Sequence, residues 1–279
     1  MNIFKDTMSE MTYEQVEKLV EQEAIVLFPV GIIEEHGPHL PLGTDIYLAY
    51  KQAHDVWEEL NSMKIPCVIA PPFYLGGVQA LTRHFPGTFA FSKETIMACI
   101  EEYLENLDRF GFKRVVVFND HGDGLHISAI VEAIKNANRK LELQAYWMEY
   151  EYELKEHGFS GEEDYILKLT DMPFEEMFQI SKMPRDAFDV HAGAFETATM
   201  REIYPEAVRE NVLVMLEPTF LQGEQIGKWC NGAAEDKALI QNGYPKGSQY
   251  IETNLKEADR RIARDIVNSF GKQVNDNYE

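Results

Sequence analysis

Four short apolar runs alternate with amphipathic stretches between residues 24 and 147 of the 279-residue sequence. The runs have the length of buried strands, whereas the apolar residues between them recur at helical spacing. Strands that alternate with helices join into parallel sheets through right-handed crossovers. We therefore expect an α/β sandwich, with a mainly parallel central sheet flanked by helices. The predicted strands are residues 24–30, 67–71, 113–118 and 141–147.

Capping residues indicate where several helices begin and end. Thr12 and Ser92 precede amphipathic stretches and are predicted N-caps, and Gly111 is a predicted stop. The sequence has no internal repeat and no low-complexity linker, so we expect one domain over residues 1–279. The predicted helices include residues 12–23, 46–60, 125–138 and a charged C-terminal helix from 247 to about 270, whose alternating charges indicate a solvated face.

Three segments carry weaker patterns. Residues 73–91 are predicted to be irregular, and a structureless segment of this length within a compact domain is usually functional. Residues 149–184 are polar, acidic and rich in methionine and aromatic side chains. For these we predict only local helix, and a lid, an oligomer contact or a peripheral excursion are all open. Residues 229–243 are predicted to form a loop.

Potential metal ligands are concentrated between the first predicted strand and the helix that follows it. This ligand loop, residues 31–45, places five candidate ligands within twelve positions, among glycines and prolines. Carboxylate oxygens and imidazole nitrogens together are typical ligands of zinc, manganese and iron. A polar surface loop with capping histidines is the alternative, but this density favours a divalent metal site. The candidates are Glu34, Glu35, His36, His39 and Asp45.

Two later segments add candidates for the same site. His121 directly follows the third predicted strand, in the string Asn-Asp-His-Gly-Asp-Gly at residues 119–124. Ligands of parallel sheets gather outside the carboxyl ends of the strands, where both this loop and the ligand loop are predicted to lie. The third segment is Asp-Val-His-Ala-Gly-Ala-Phe-Glu-Thr at residues 189–197, whose His191 and Glu196 are assigned below from a family resemblance.

These motifs resemble those of the creatininase (creatinine amidohydrolase) family. The string Glu-x-His-Gly-Pro-His-Leu-Pro-Leu-Gly-Thr-Asp at residues 34–45 looks like the family's signature loop, and residues 85–88 and 189–197 are also similar. The resemblance covers roughly residues 24–217. At residues 119–124 the family usually has Asn-Gly-His-Gly-Gly-Asn, from which this chain departs at Asp120, Asp123 and Gly124.

The resemblance implies a creatininase-like fold and a site for two divalent ions, zinc or manganese, with iron as an alternative. Glu34 and His121 would bind one ion, and Asp45 would bridge both. His36 would bind the other ion together with Glu196 or Asp123. Creatinine-hydrolysing members have a ligating glutamate where this chain has Asp123, whereas Glu196 offers the longer side chain.

The resemblance also assigns a proton-transfer role. His191 matches the family's catalytic histidine, which would carry a proton to the leaving nitrogen after a metal-activated water attacks the carbonyl carbon. His39 and Glu35 are expected to orient the ligands, since such partners usually surround metal-binding side chains.

The implied function is hydrolysis of a cyclic amide or a related C–N bond. Opening of a lactone or of a cyclic ketone derived from a sugar or inositol, with the same dinuclear site, is an alternative, as is a non-catalytic metal-binding scaffold. Creatinine itself is not expected, because Gly122 replaces an aromatic residue of the creatinine-hydrolysing members. Ala187 and Phe188 likewise replace an expected Trp-Asp pair. Arg83 and Gly122 are the candidates for substrate contacts.

Charge and cysteine content limit the partners and the location. The 26 basic and 47 acidic residues give a net charge of −21, which argues against nucleic acid and anionic membranes as partners. The three cysteines are widely spaced and are typical of reduced thiols. No signal peptide or membrane span is recognisable. We expect a cytoplasmic enzyme with a small-molecule substrate and, by family resemblance, a homo-oligomer such as a hexamer.

Overall fold

A five-stranded sheet forms the centre of the computed structural model, which describes residues 1–79, 81–172, 178–180, 190–216, 223–230, 251–253 and 255–275. The strand order is β2-β1-β3-β4-β5, and every neighbouring pair is parallel. This confirms the predicted α/β fold. The strands are β1 (Ile25–Val30), β2 (Cys67–Ile69), β3 (Arg114–Asn119), β4 (Gln144–Tyr150) and β5 (Ile166–Leu169). A separate antiparallel pair consists of β6 (Phe178–Ile180) and β7 (Ile251–Thr253).

The first four helices begin and end close to the predicted positions. Thr12 forms a capping box with Gln15, Ser92 accepts from the Thr95 amide, and Gly111 ends its helix in the left-handed conformation, with φ of 107°. The helices are α1 (Tyr13–Glu21), α2 (Thr44–Ser62), α3 (Lys93–Phe110), α4 (Gly124–Lys140), α5 (Glu151–Glu156), α6 (Ala194–Ile203), α7 (Glu210–Leu213), α8 (Gly223–Cys230) and α9 (Leu255–Asn275). No helix in these described segments is both long and apolar enough to cross a membrane.

The sheet is covered on both faces because successive strand residues point to opposite sides. The even-numbered residues of β1 point to one face, where Phe28 packs with residues of α3 and α4. On the other face, Leu27 packs with residues of α2 and α9. The central strands are therefore buried on both sides, which explains why β1 and β3 are continuous apolar runs.

Three predictions on the later part of the chain were wrong. The fifth strand, β5, was missed within residues 149–184, because its four residues include the exposed Lys168. The C-terminal helix begins at Leu255, not at 247, and its inner face is buried through residues such as Ile262. Trp229 lies in α8 and not in a loop. Predictions for residues 173–177, 181–189 and 231–250 lie outside the described residues.

The sheet order places the ligand loop beside the loop that follows β3. Val30, at the end of β1, pairs with Asn119, at the end of β3. The segment 73–91, which includes a short 3₁₀ helix at Leu81–His84, forms hydrogen bonds with the ligand loop. Its Phe89 amide donates to the Ile33 carbonyl, and Thr88 Oγ1 accepts from the Glu35 amide, both at 2.9 Å.

Candidate metal centre

Six side chains meet at the carboxyl end of the sheet, and we call them the ligand cluster. Their ligand atoms form three overlapping trios, within each of which all atoms lie within 4.8 Å of one another. Four of the residues are at most 6% exposed, namely Glu34, His36, Asp45 and His121. The trios are Glu34 with His36 and His191, Glu34 with Asp45 and His121, and His36 with Asp45 and Glu196. The structure therefore brings together the predicted residues from three distant segments.

Strand ends and helix starts position the ligand cluster. His121 follows β3, and the pairing of β1 with β3 brings the ligand loop next to it. Asp45 lies in the first turn of α2, and Glu196 lies in the first turn of α6. The partial positive charge at a helix N-terminus favours a carboxylate there.

Backbone carbonyl groups orient two of the histidines. His121 Nε2 lies 3.0 Å from the Gly77 carbonyl oxygen, and His36 Nδ1 lies 3.1 Å from the Glu34 carbonyl oxygen. Because a carbonyl oxygen only accepts, each of these nitrogens is the N–H donor. The opposite nitrogen of each ring faces the carboxylates of the ligand cluster. A histidine that is fixed in this way presents its second nitrogen to a metal ion.

Asp45 lies between these two histidines. Its Oδ1 is 2.9 Å from His36 Nε2, and its Oδ2 is 3.3 Å from His121 Nδ1. Glu34 Oε1 lies 3.1 Å from His121 Nδ1, whereas Glu196 Oε1 lies 3.7 Å from His36 Nε2. Each half of the ligand cluster thus has one histidine nitrogen and one carboxylate of its own, and the two halves share Asp45.

Opposite charges shift the pKa values of these groups. Burial lowers the pKa of His36, but the facing carboxylates of Asp45 and Glu196 outweigh burial and raise it well above its usual value. The pKa of His121 is raised in the same way, with Glu34 and Asp45 opposite. Burial acts to raise the pKa of Asp45, and the two histidines reverse this and lower it. The carboxylates therefore require positive charge beside them.

The donor set fits divalent cations. Glu34 Oε2 and Glu196 Oε2 are buried, and neither has a hydrogen-bond partner among the described residues. A buried carboxylate oxygen without a partner carries a desolvation cost that a bound cation would offset. Carboxylate oxygens combined with imidazole nitrogens suit zinc, manganese or iron.

His191 lies at the edge of the ligand cluster and lines a cavity of about 330 Å³, to which we refer below as the cavity. Its Nε2 lies 2.6 Å from the Glu35 carbonyl oxygen and is therefore the donor of that hydrogen bond. Its Nδ1 lies 3.7 Å from Glu34 Oε1. The ring centroid is 4.4 Å from that of His36 and 5.5 Å from that of Trp229. Nδ1 is thus directed towards Glu34 and the other members of the ligand cluster, where it can exchange a proton with a reacting group.

His39 links the ligand loop to the helix that carries Glu196. Its Nε2 lies 2.8 Å from Thr197 Oγ1, and this hydroxyl donates to the Gly193 carbonyl. Burial lowers the pKa of His39 to about 4, so the ring is neutral and Nε2 donates to the hydroxyl. Because Thr197 directly follows Glu196, the contact fixes the start of α6 relative to the ligand loop. This geometry supports the orienting role expected of His39.

Asp123 lies outside the three trios. It is the N-cap of α4, where its Oδ1 accepts from the Leu125 amide at 2.9 Å. Its Oδ2 accepts from the Gln79 amide at 2.8 Å. Both oxygens therefore bind backbone amides, and of the two carboxylates considered for the second ion the structure places Glu196 in the ligand cluster.

The two candidate substrate contacts have different surroundings. Arg83 is exposed in the 3₁₀ helix and is not among the described residues that line the cavity. Gly122 lines the cavity, and a Cβ atom at this position would meet nothing within 4 Å. The absence of a side chain at Gly122 therefore leaves room for a substrate beside His121. Asp189, in the third motif, lies outside the described residues.

Sequence analysis did not identify Asn119 and His126 as part of the site. Asn119 Nδ2 donates to the His121 carbonyl at 2.9 Å, and Asn119 Oδ1 lies 3.0 Å from His126 Nε2. The Gly77 amide in turn donates to His126 Nδ1 at 3.4 Å. Since the Gly77 carbonyl accepts from His121, this network holds the His121 ring in place. The only signal in the sequence is a histidine on the apolar face of α4.

Several known proteins are similar to this chain. The sequence profile of the creatininase family, described as creatinine amidohydrolase, matches residues 9–274. Creatinine amidohydrolase of Pseudomonas putida is 25% identical over 211 residues, which are 72% of this chain and 73% of that protein. The 3-dehydro-scyllo-inosose hydrolase of Thermotoga maritima is 23% identical over 227 residues, which are 79% of this chain and 64% of that protein.

A solved structure has the same fold. The protein described as "Creatininase Mn" superposes with a TM-score of 0.67 at 20% identity, covering 96% of this chain and 98% of its own. At this identity the similarity establishes the fold alone. It confirms the creatininase-like α/β architecture expected from the motifs.

Metal analysis of two carboxylate variants tests which residue completes the second half of the ligand cluster. Glu196→Ala removes the carboxylate that faces His36, so we expect it to lose one of about two divalent ions per chain. Asp123→Ala should keep both ions and lose about 1–3 kcal/mol of the free energy of unfolding, because it removes the cap of α4 and the hydrogen bond from the Gln79 amide. Mass spectrometry of the metals after gel filtration and urea unfolding measure the two effects. Metal loss in Asp123→Ala, with a full load in Glu196→Ala, would assign the position to Asp123.

Proposed function

Because the chain belongs to the creatininase family of metal-dependent hydrolases, we propose that it hydrolyses a cyclic amide or a related C–N bond. The observation that carries this proposal is the buried ligand cluster, in which Asp45 faces a histidine on each side, at the edge of a cavity. A cavity of about 330 Å³ has the size of a small-molecule site.

We propose zinc or manganese, with iron as an alternative, as the metals of the ligand cluster. Glu34 and His121 would hold one ion, His36 and Glu196 the other, and Asp45 both. Two divalent ions so bound would polarise the substrate carbonyl and lower the pKa of a water between them. The remaining steps depend on the side chains and backbone groups that border the cavity.

His191 is the proposed proton carrier. The hydrolysis adds water across the C–N bond, so one proton must move from the attacking water to the leaving nitrogen. His191 Nδ1 faces the ligand cluster, while the hydrogen bond from Nε2 to the Glu35 carbonyl fixes the ring. Nδ1 can therefore accept the proton during attack and return it to the nitrogen as the bond breaks.

Replacement of His191 separates proton transfer from metal binding. His191→Ala should retain its metal and lose about 10²–10⁴-fold in kcat, the usual effect of removing a general acid–base group. His84→Ala, a histidine exposed in the 3₁₀ helix, is the matched control and should keep wild-type kcat. Metal content and steady-state rates are measured on the same preparations. Loss of an ion from His191→Ala would make His191 a ligand, and an unchanged kcat would remove its catalytic role.

A second candidate function is the opening of a lactone or of a cyclic ketone derived from a sugar or inositol. Similarity to the 3-dehydro-scyllo-inosose hydrolase of Thermotoga maritima favours this candidate. The same ligand cluster would serve, because attack on a carbonyl carbon is common to both reactions. The difference lies in the leaving atom, which is nitrogen, oxygen or carbon. A metal-binding scaffold without catalysis is the remaining alternative.

A substrate panel distinguishes these functions. Metal-loaded protein is incubated with cyclic amides, formamides, lactones and cyclic ketones, and each reaction is repeated after chelation. We expect turnover of one or more substrates with a C–N bond, and its loss with the metal. Turnover of lactones or ketones alone would favour the second candidate, whereas no turnover by fully loaded protein would favour the scaffold.

Location, oligomeric state and partners of the protein are part of the proposed function. We propose a cytoplasmic homo-oligomer, with a hexamer as the family expectation, and a small molecule as its substrate. Neither nucleic acid nor a membrane is a proposed partner, because the chain carries a net charge of −21.

A further inference from the structure

The cavity is enclosed by secondary structure on several sides. It lies beyond the ends of β3, β4 and β5, and residues of α2, α6 and α9 complete its walls. It reaches His121, His191 and Glu196 of the ligand cluster. A substrate whose carbonyl lies at the ligand cluster must therefore place the rest of its structure in the cavity.

The lining of the cavity is strongly acidic. Lys51 is the only lysine or arginine among the described lining residues, and it already forms a close ion pair with Asp55. His157 also lines the cavity, but burial lowers its pKa and favours the neutral ring. The lining carboxyl groups are those of Asp55, Asp120, Glu149, Glu153, Glu196 and Asp259.

Two buried polar groups of the lining have no hydrogen-bond partner among the described residues. Thr199 lines the cavity from α6 and is only 5% exposed. Its hydroxyl oxygen is buried and has no hydrogen-bond partner among the described residues. Asp120 Oδ2 is also buried and has no hydrogen-bond partner among the described residues. Buried polar atoms are normally hydrogen-bonded, so a ligand that reaches these two groups would remove a cost to the fold.

The arrangement suits an organic cation better than a metal ion. No two of the six lining carboxylates belong to a common trio of ligand atoms within 4.8 Å in the described part of the chain. Asp259 faces Asp55, but no three of the six carboxylates come together there as the ligands of a metal ion would. Tyr150 and Tyr152, whose rings stack with centroids 5.9 Å apart, also line it. Aromatic faces beside carboxylates favour ammonium, amidinium and guanidinium groups.

The pKa values of two lining carboxyl groups also favour a cation in the cavity. Burial, together with the facing carboxylate of Asp55, raises the pKa of Asp259 to about 9. Burial and the neighbouring Glu153 raise the pKa of Glu149 well above its usual value. Asp259 is therefore mostly protonated near neutral pH in the free protein, and a cation that binds beside it would favour its ionised form. An anionic substrate would add to the cost of negative charge in this cavity.

We propose that the substrate is an amide with a positively charged substituent, which the acidic cavity binds while the carbonyl lies at the ligand cluster. This inference rests on the proposed function, because it names the charge of the substrate of that same site. It places the specificity of the enzyme in side chains of α2, α9 and β4, away from the ligand loop.

Three matched ligands test the proposal. They share one cyclic amide and carry a trimethylammonium group, its neutral isostere tert-butyl, or a carboxylate. Isothermal titration with metal-loaded His191→Ala protein gives dissociation constants while turnover is slowed about 10²–10⁴-fold. We expect the cationic amide to bind at least about tenfold more tightly than the neutral one, and the anionic amide most weakly. Equal or tighter binding of the neutral amide would overturn the proposal.

Charge-removing variants locate the preference. Asp259→Asn and Glu149→Gln keep the shape of the side chains but cannot ionise, so each should reduce the preference for the cation several-fold. The double variant should bind the cationic and neutral amides alike. Glu105→Gln, an exposed position on α3 outside the cavity, is the charge-matched control and should keep the wild-type preference. Circular dichroism and metal content show whether each variant is folded. If the folded double variant still prefers the cationic amide, the assignment to this cavity is contradicted. If the double variant does not fold, the three-ligand series on the His191→Ala protein decides the proposal.

Failure of this inference differs from failure of the proposed function. Rapid hydrolysis of all three amides with similar dissociation constants would leave the amidohydrolase and remove the cation site. A strong binding preference for the cationic amide, with no hydrolysis by metal-loaded wild-type protein, would leave the cation site and remove the amidohydrolase.

Discussion

Burial of the Asp45 carboxylate between two histidines is the interaction on which the candidate site depends. A carboxylate removed from water carries a penalty of several kcal/mol unless opposite charge and hydrogen bonds surround it. Here His36 and His121 lie 2.9 and 3.3 Å from its two oxygens, and the start of α2 adds a favourable dipole. Glu34 and Glu196 bring further negative charge to the same place. Divalent cations are the groups that best balance this arrangement.

The parallel sheet makes the arrangement geometrically possible. Adjacent strands β1 and β3 end side by side, so residues about 80 positions apart in sequence, such as His36 and His121, reach one point. The surrounding network then removes their rotational freedom. Backbone carbonyl groups of Gly77, Glu34 and Glu35 each accept from one histidine. The site is consequently held by the backbone of the fold as much as by contacts among its own side chains.

Local patterns predicted the strands and helices from α1 to β4 and the candidate ligands of the ligand loop, because these depend on short-range signals. The roles of His191 and Glu196 were implied by the resemblance to the creatininase family. The ligand loop is recognisable by its density of potential metal ligands. Thr12, Ser92 and Gly111 cap the helices next to which they stand in the sequence. Such signals do not show which of two carboxylates reaches a distant histidine. The choice of Glu196 over Asp123 as the residue in the cluster depends on how α6 packs against the ligand loop, through His39 and Thr197.

The acidic cavity was not recognisable in the sequence for the same reason. Its carboxylates come from α2, the loop after β3, β4, α5, α6 and α9, and each of these segments contributes one of them. Asp259 illustrates this, because in sequence it is one charge of a charged helix, whereas in the fold it is buried and faces Asp55. The short strand β5 was missed because four residues carry too weak a periodic pattern to distinguish a strand from a loop.

The most direct test of this account is a crystal structure of the metal-loaded protein, with anomalous diffraction measured on both sides of the zinc and manganese absorption edges. The account predicts two anomalous peaks about 3.5–4 Å apart, with one oxygen of Asp45 at each. His121 and Glu34 should contact one peak, and His36 and Glu196 the other. A single peak, or two peaks bound by other residues, would contradict it.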